Sequence, residues 1–174
     1  MKTYIALLKS INVGGKNLLP MKELVALLEE NSFLNIKTYI QSGNVIFQSK
    51  VKPQAVGELI ANKFGFKPEV FILEKSELDA AIKRNPYSPA EGKLVHFYFC
   101  NKTPTLNMDR LKALAAKSEQ YFLKGKVFYL HAPNGVSRSK LVANIESCLG
   151  MPATGRNLNT VNKLKEMAAN LAAQ

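Results

Sequence analysis

The sequence predicts an α+β fold of two ferredoxin-like halves packed together, each an alpha-beta plait of split βαβ type with an antiparallel sheet and helices on one face. Two observations predict it. Runs of hydrophobic period two alternate with runs of period near 3.6 in the order β-α-β-β-α-β, and that order recurs in the second part of the chain. A helix-like stretch and a Pro-containing loop, residues 76–92, separate the two occurrences, so the halves are expected at 1–75 and 93–174. They share little residue identity, and the internal duplication is one of element order.

In the first half, Tyr4 to Leu8 reads as a strand and Pro20 to Glu30 as a helix with Met21, Leu24, Val25 and Leu28 on one face. Pro20 suits the first turn, where an N–H would have no partner. Strands at Lys37 to Gln41 and Asn44 to Gln48 meet at Ser42-Gly43, and a helix after Pro53 leads to a strand at Glu69 to Leu73. Ser76 to Arg84 follows as a connecting helix, and Asn85-Pro86-Tyr87-Ser88-Pro89 as a loop.

The second half opens with an apolar strand, Leu94 to Cys100, and a helix from Asn107 to Lys117 that turns Met108, Leu111 and Leu114 inward. Glu119 to Leu123 and Val127 to His131 form a hairpin around Lys124-Gly125-Lys126. A helix with Leu141, Val142, Ile145 and Leu149 on one face, a sixth strand hinted at near Pro152 to Gly155, and an extra C-terminal helix from Asn159 to Ala172 complete the chain.

At 174 residues, 47% hydrophobic and 21% charged, the composition is that of a globular protein, and no apolar run approaches the roughly 18 residues of a membrane span. The apolar start is cut short by Lys9, with no small-residue cleavage site after it, so a cytoplasmic location and no membrane partner are expected. Cys100 and Cys148 match no metal or redox spacing, and His96 and His131 are isolated. Neither a protein-held metal nor a cofactor is called for.

The net charge is +11, and acids are missing from residues 1–22, 31–57, 120–145 and 147–165. Four polar segments fall in those gaps: Asn12 to Asn17, Gln41 to Asn44, Asn134 to Lys140, and Thr154 to Thr160. Glycine-freed amides, side-chain amides, hydroxyls and basic groups are what an anion needs. The first segment is neither a P-loop nor a dinucleotide fingerprint, since its only glycines, Gly14 and Gly15, are adjacent. The second reads equally as a tight hairpin turn.

Helix starts carry a sharper signal, because a helix N-terminus favours acids over bases. Two helices conform, with Glu77 and Asp79 after Ser76 and Asp109 after Asn107. The last two do not. Ser137, the expected N-cap, is followed by Arg138 and Lys140, and Asn159 lies between Arg156 and Lys163, with no acid in either first turn. A bound anion would remove the conflict.

Rival chemistries are weaker. Ser137 to Lys140 has the Ser-x-x-Lys spacing of penicillin-recognising enzymes, but the order of motifs along the chain is reversed and their Lys-Thr-Gly element is missing. Phe97-Tyr98-Phe99 and Lys124 to Tyr129 loosely echo the base-stacking strands of an RNA-recognition motif, although core aromatics at strand period explain them better.

At these segments the chain resembles an uncharacterised, mainly bacterial family known as domain of unknown function 1697. The resemblance rests on Leu7 to Asn17, Tyr39 to Val45, Ser139-Lys140-Leu141 and Thr154 to Val161, with Lys9, Ser10 and Leu158 standing where the family pattern has Arg, Gly and Trp. It implies two ferredoxin-like halves and no established activity. The expected ligand is therefore a phosphate-bearing anion, a nucleotide or nucleic-acid segment, in one cleft lined by the polar loops and the two helix starts. Its expected holders are Asn12, Gly14, Gly15, Lys16, Asn17, Gln41, Ser42, Asn44, Ser137, Arg138, Lys140, Arg156, Asn157 and Asn159. An enzyme acting on a phosphorylated small molecule and an interaction module for an acidic protein are the alternatives.

Overall fold

The computed structural model describes all residues except Ser42, Val51 and Lys52. By compactness the chain forms two units, Met1–Ala80 with Lys163–Gln174, and Ala81–Asn162. No helix among the described residues is long and apolar enough to cross a membrane.

The first unit contains β1 (Lys2–Leu8), α1 (Met21–Glu30), β2 (Leu34–Tyr39), β3 (Asn44–Ser49), α2 (Val56–Phe64) and β4 (Val70–Glu74). Its four strands pair antiparallel in the order β2-β3-β1-β4, which is the ferredoxin-like plait. Strand alternation sends Tyr4, Ala6 and Leu8 of β1 to one face, where with Val45 and Phe47 they meet Leu24 and Leu28 of α1 and Val56 and Ile60 of α2. Ile5, Leu7 and Ile46 on the other face are also buried, so Tyr4 to Leu8 of β1 and Val45 to Phe47 of β3 are apolar on both faces. β2 begins three residues before the expected Lys37, because its register with β3 shifts between Leu34 and Lys37 and left-handed Asn35 interrupts the period.

α3 (Lys75–Lys83) follows. The second unit contains β5 (Val95–Phe99), α4 (Met108–Leu114), β6 (Gln120–Lys124), β7 (Val127–His131), α5 (Lys140–Ala143), α6 (Ile145–Leu149) and β8 (Thr154–Asn157). Its sheet order, β6-β7-β5-β8, repeats the topology of the first. Tyr98, Cys100, Phe128 and Leu130 pack with Leu111, Leu141, Cys148 and Leu149 into its core. Phe97 and Tyr129, which project from the opposite face, meet edge to face at 4.7 Å, and the Tyr129 hydroxyl donates to the Ala81 carbonyl at 2.6 Å. α7 (Leu158–Ala172) closes the chain.

The single helix expected over Leu141 to Leu149 is two short ones. Asn144 interrupts it: its side-chain amide donates to the Lys140 carbonyl at 2.8 Å, and its oxygen accepts from Arg110 at 3.1 Å. An asparagine side chain that binds nearby backbone competes with the helix ladder.

Candidate functional site

In the first unit the structure brings the first two polar segments together at one end of the sheet. β1 leaves that end into the 10–17 loop, and β3 enters it from the β2–β3 turn, with the Leu8 amide donating to the Gly43 carbonyl at 2.8 Å. Only glycine fits at position 43: its φ is 86°, and a Cβ there would stand 2.8 Å from the Leu8 Cβ and 2.9 Å from the Ile11 side chain.

Asn12 ties the two segments. Its amide nitrogen donates to the Leu19 carbonyl at 3.0 Å and the Gln41 carbonyl at 3.1 Å, and its oxygen accepts from the Leu19 amide at 2.7 Å. The Asn17 side chain donates to the Ser10 carbonyl, and buried Asn44 donates to the Tyr39 carbonyl across the turn. These three amides hold backbone. Gly14 and Gly15, both left-handed, form a two-residue hairpin turn closed by the Lys16 amide on the Val13 carbonyl at 3.0 Å. Lys16 and Gln41 stay exposed, and Ser42 lies outside the described residues.

The backbone of this tip is unusual. Ser10, Asn12, Gly14, Gly15 and Asn17 in the loop, and Ile40 and Gly43 in the turn, all have positive φ. Asparagine and glycine tolerate that region, but Ile40, β-branched and at φ 51°, does not. Holding it there costs about 1–3 kcal/mol. Ile40 is also 53% exposed, so hydrophobic burial does not offset the strain.

In the second unit, β7 and β8 flank β5 and end at the same end of the sheet, where His131 pairs with Val95 and Asn157 with His96. The third and fourth polar segments therefore leave from strands roughly 10 Å apart, two inter-strand spacings. The helix starts there differ from expectation. The cap of α5 is Ser139, not Ser137: its hydroxyl oxygen accepts from the Val142 amide at 3.1 Å and donates to a Glu119 carboxylate oxygen at 2.6 Å. Glu119 also accepts from the Ala116 amide at 2.7 Å, so a carboxylate of the chain stands against the cap of α5. Ser137 and Arg138 are exposed just before the cap, and Lys140 is exposed at the first helical position. α7 is capped by Asn157, whose side chain accepts from the Thr160 amide at 2.9 Å, and not by Asn159. Asn159 instead lies against Gly92, where a Cβ would collide with its amide.

Arg156 donates to the Thr154 hydroxyl at 2.7 Å and the Gly155 carbonyl at 2.8 Å, and burial draws its guanidinium down to about 10. Gly155 leaves room for the Tyr98 ring, which would stand 2.7 Å from a Cβ. His96 has a buried Nε2 without a hydrogen-bond partner among the described residues, and burial lowers its pKa against a backbone hydrogen bond at Lys93. Both thiols are free and buried, and burial pushes Cys100 up to about 11 and raises Cys148, which suppresses the thiolate. The aromatics that echo a base-stacking surface are core: Phe97, Tyr98, Phe99, Phe128 and Tyr129 are at most 6% exposed. A shallow cavity of about 330 Å³ near the start of β1 holds none of the expected site residues, and its charges pair with one another as Lys2–Glu74 at 3.0 Å and Lys75–Asp79 at 2.8 Å.

A family model described as Protein of unknown function (DUF1697) matches residues 1–129. The chain belongs to this family. The DUF1697 match takes in the whole strained tip, whereas the third and fourth polar segments lie beyond it. The chain is similar over its length to conserved bacterial protein SP0830 from Streptococcus pneumoniae, with 24% identity, 96% of this chain and 98% of that chain covered, and a TM-score of 0.67. At that identity the likeness speaks for the fold. No protein of curated function matches the chain.

Three features escape sequence reasoning. Glu119 acts on a helix start 20 residues away, a distance no local pattern reports. Ile40 looks like an ordinary strand residue until its φ is known. Phe122 follows the alternation of a hairpin strand and shares a face with buried Tyr129, yet on the edge strand its own side chain is 41% exposed.

Proposed function

We propose that the protein binds a phosphate-bearing anion, a nucleotide or a nucleic-acid segment, at the tip of the first unit. Lys16 supplies charge, the turn at Gly14 and Gly15 supplies outward backbone amides, and Gln41 supplies a side-chain amide. One observation carries the reading: seven left-handed residues, one of them an exposed isoleucine, concentrate in two acid-free segments locked together by Asn12. Strain of this kind clusters where backbone is held ready for a ligand. Asn12, Asn17 and Asn44 act in this scheme as the frame and not as ligand contacts. Two buried free thiols fit a reducing compartment, and a cytoplasmic setting belongs to the proposal.

The test is a titration of nucleoside mono-, di- and triphosphates and a twelve-nucleotide single strand at several salt concentrations, with wild type and Lys16→Glu compared. Lys16 is exposed, so the variant folds, and it should lose at least tenfold in affinity. If the ligand is a nucleic acid, Lys16→Ala lowers the slope of log affinity against log salt by about 0.7–1. Binding untouched by Lys16→Glu, or no binding by any probe, removes the proposal.

A further inference from the structure

Four strands stand at sheet edges: β2 and β4 in the first unit, β6 and β8 in the second. An edge strand offers unpaired backbone donors and acceptors, and proteins blunt such edges unless they use them. β2 is blunted by its register shift and by Asn35 at φ 53°. β8 is four residues long and contains Gly155, and β4 has no fully exposed side chain. β6 differs from all three. Its five residues run in unbroken register with β7, its side chains alternate exposed and half-buried, and Phe122 at its centre is 41% exposed. The Phe122 ring is held against Tyr129, stacked at 6.1 Å with an interplanar angle of 30°.

Charge selects what pairs with this edge. Lys117 precedes the strand, Lys124 ends it and Lys126 follows, all exposed and none in an ion pair among the described residues. The nearby acid, Glu119, is taken up by the Ala116 amide and the Ser139 hydroxyl, and no further acid occurs before Glu146. A second copy of so basic an edge would be repelled, whereas an acidic strand would be drawn in.

We propose that β6 is a docking edge for an extended acidic segment of a partner protein, which adds to the sheet as a fifth strand. Main-chain hydrogen bonds along β6 supply affinity, an apolar side chain sits on Phe122, and carboxylates meet Lys117, Lys124 and Lys126. About five residues of the partner, roughly 17 Å of strand, cover the edge. The surface shares no residue with the anion site at the first tip, so either proposal can fail without the other.

The experiment uses the full chain and a panel of end-capped eight-residue peptides that alternate Asp or Glu with Val, Ile or Phe, followed by amide NMR and fluorescence anisotropy. Shifts should concentrate on Gln120 to Val127, Phe122→Ser should weaken binding about tenfold, and Lys124→Glu combined with Lys126→Glu should weaken it and flatten its salt dependence. N-methylation of alternate peptide amides, which leaves the protein untouched, should abolish binding. The proposal is overturned if no acidic peptide moves the β6 amides, if N-methylated or lysine-for-acid peptides bind as well, or if sedimentation shows β6 pairing with its own copy.

Discussion

The tip of the first unit and the corresponding loop cluster of the second solve the same electrostatic problem in opposite ways. Each gathers two acid-free polar segments at one end of a four-stranded sheet. In the second, the Ser139 cap of α5 is hydrogen-bonded to a carboxylate of the chain, Glu119, and the start of α7 is capped by Asn157. In the first, side-chain amides are spent on holding a strained backbone open, and Lys16 faces water. A shortage of acids in the sequence therefore means two different things, and only the fate of the nearby polar side chains separates them.

The sharpest way to break this comparison is to remove the tie in the first unit. Asn12→Ala deletes three hydrogen bonds, one of them to the Leu19 amide at 2.7 Å, and leaves backbone groups unpaired. A loss of about 2–3 kcal/mol follows, together with faster amide exchange through residues 10–19. Urea unfolding and hydrogen exchange measure both. A loss in stability with unchanged exchange in the loop would mean that the strain is held elsewhere.

Glu119→Ala tests the other side. Removing the carboxylate takes away the partner of the Ser139 hydroxyl and the Ala116 amide, at a cost of about 1–2 kcal/mol. If Glu119 serves as an internal anion beside Arg138 and Lys140, inorganic phosphate should raise the melting temperature of the variant more than that of the wild type. Equal phosphate shifts in the two proteins would show that α5, a four-residue helix, makes no demand for an anion.

Much of the fold was legible because burial imposes period on the chain. β7 is legible at Val127 to His131 as an apolar run that follows the turn at Lys124-Gly125-Lys126, and the structure agrees. The helix starts were legible only to within two residues. Ser137 and Ser139, like Asn157 and Asn159, are both good caps by type, and the choice lies in backbone geometry: Ser139 is extended, at φ −72° and ψ 118°. The break at Asn144 was invisible because the apolar period runs through it, while the bond that stops the helix is made by a side-chain amide. The candidate site is legible as composition and not as roles, since Asn12, Lys16 and Asn17 look alike in a list of donors and differ only in what they already hold.

The smallest expected effect concerns His96, which separates the units by pH. Burial lowers its folded-state pKa below the unfolded value of 6.5, so the folded chain holds the ring neutral. Its contribution is fully present above pH 6.5 and is lost as pH falls from there towards the lowered folded pKa, below which both states are protonated and the dependence ends. His96→Phe removes the titrating group beside Tyr98 and Asn157 without changing the first unit. Between pH 7.5 and 5.0 the wild type should lose more stability than the variant, measured as the change in urea midpoint. Hydrogen exchange then locates the loss: protection should fall in β5 and β8, which carry His96 and Asn157, before it falls in β1 and β3. Parallel loss in both units would mean that acid acts on the whole chain through its charge of +11 and not through this ring.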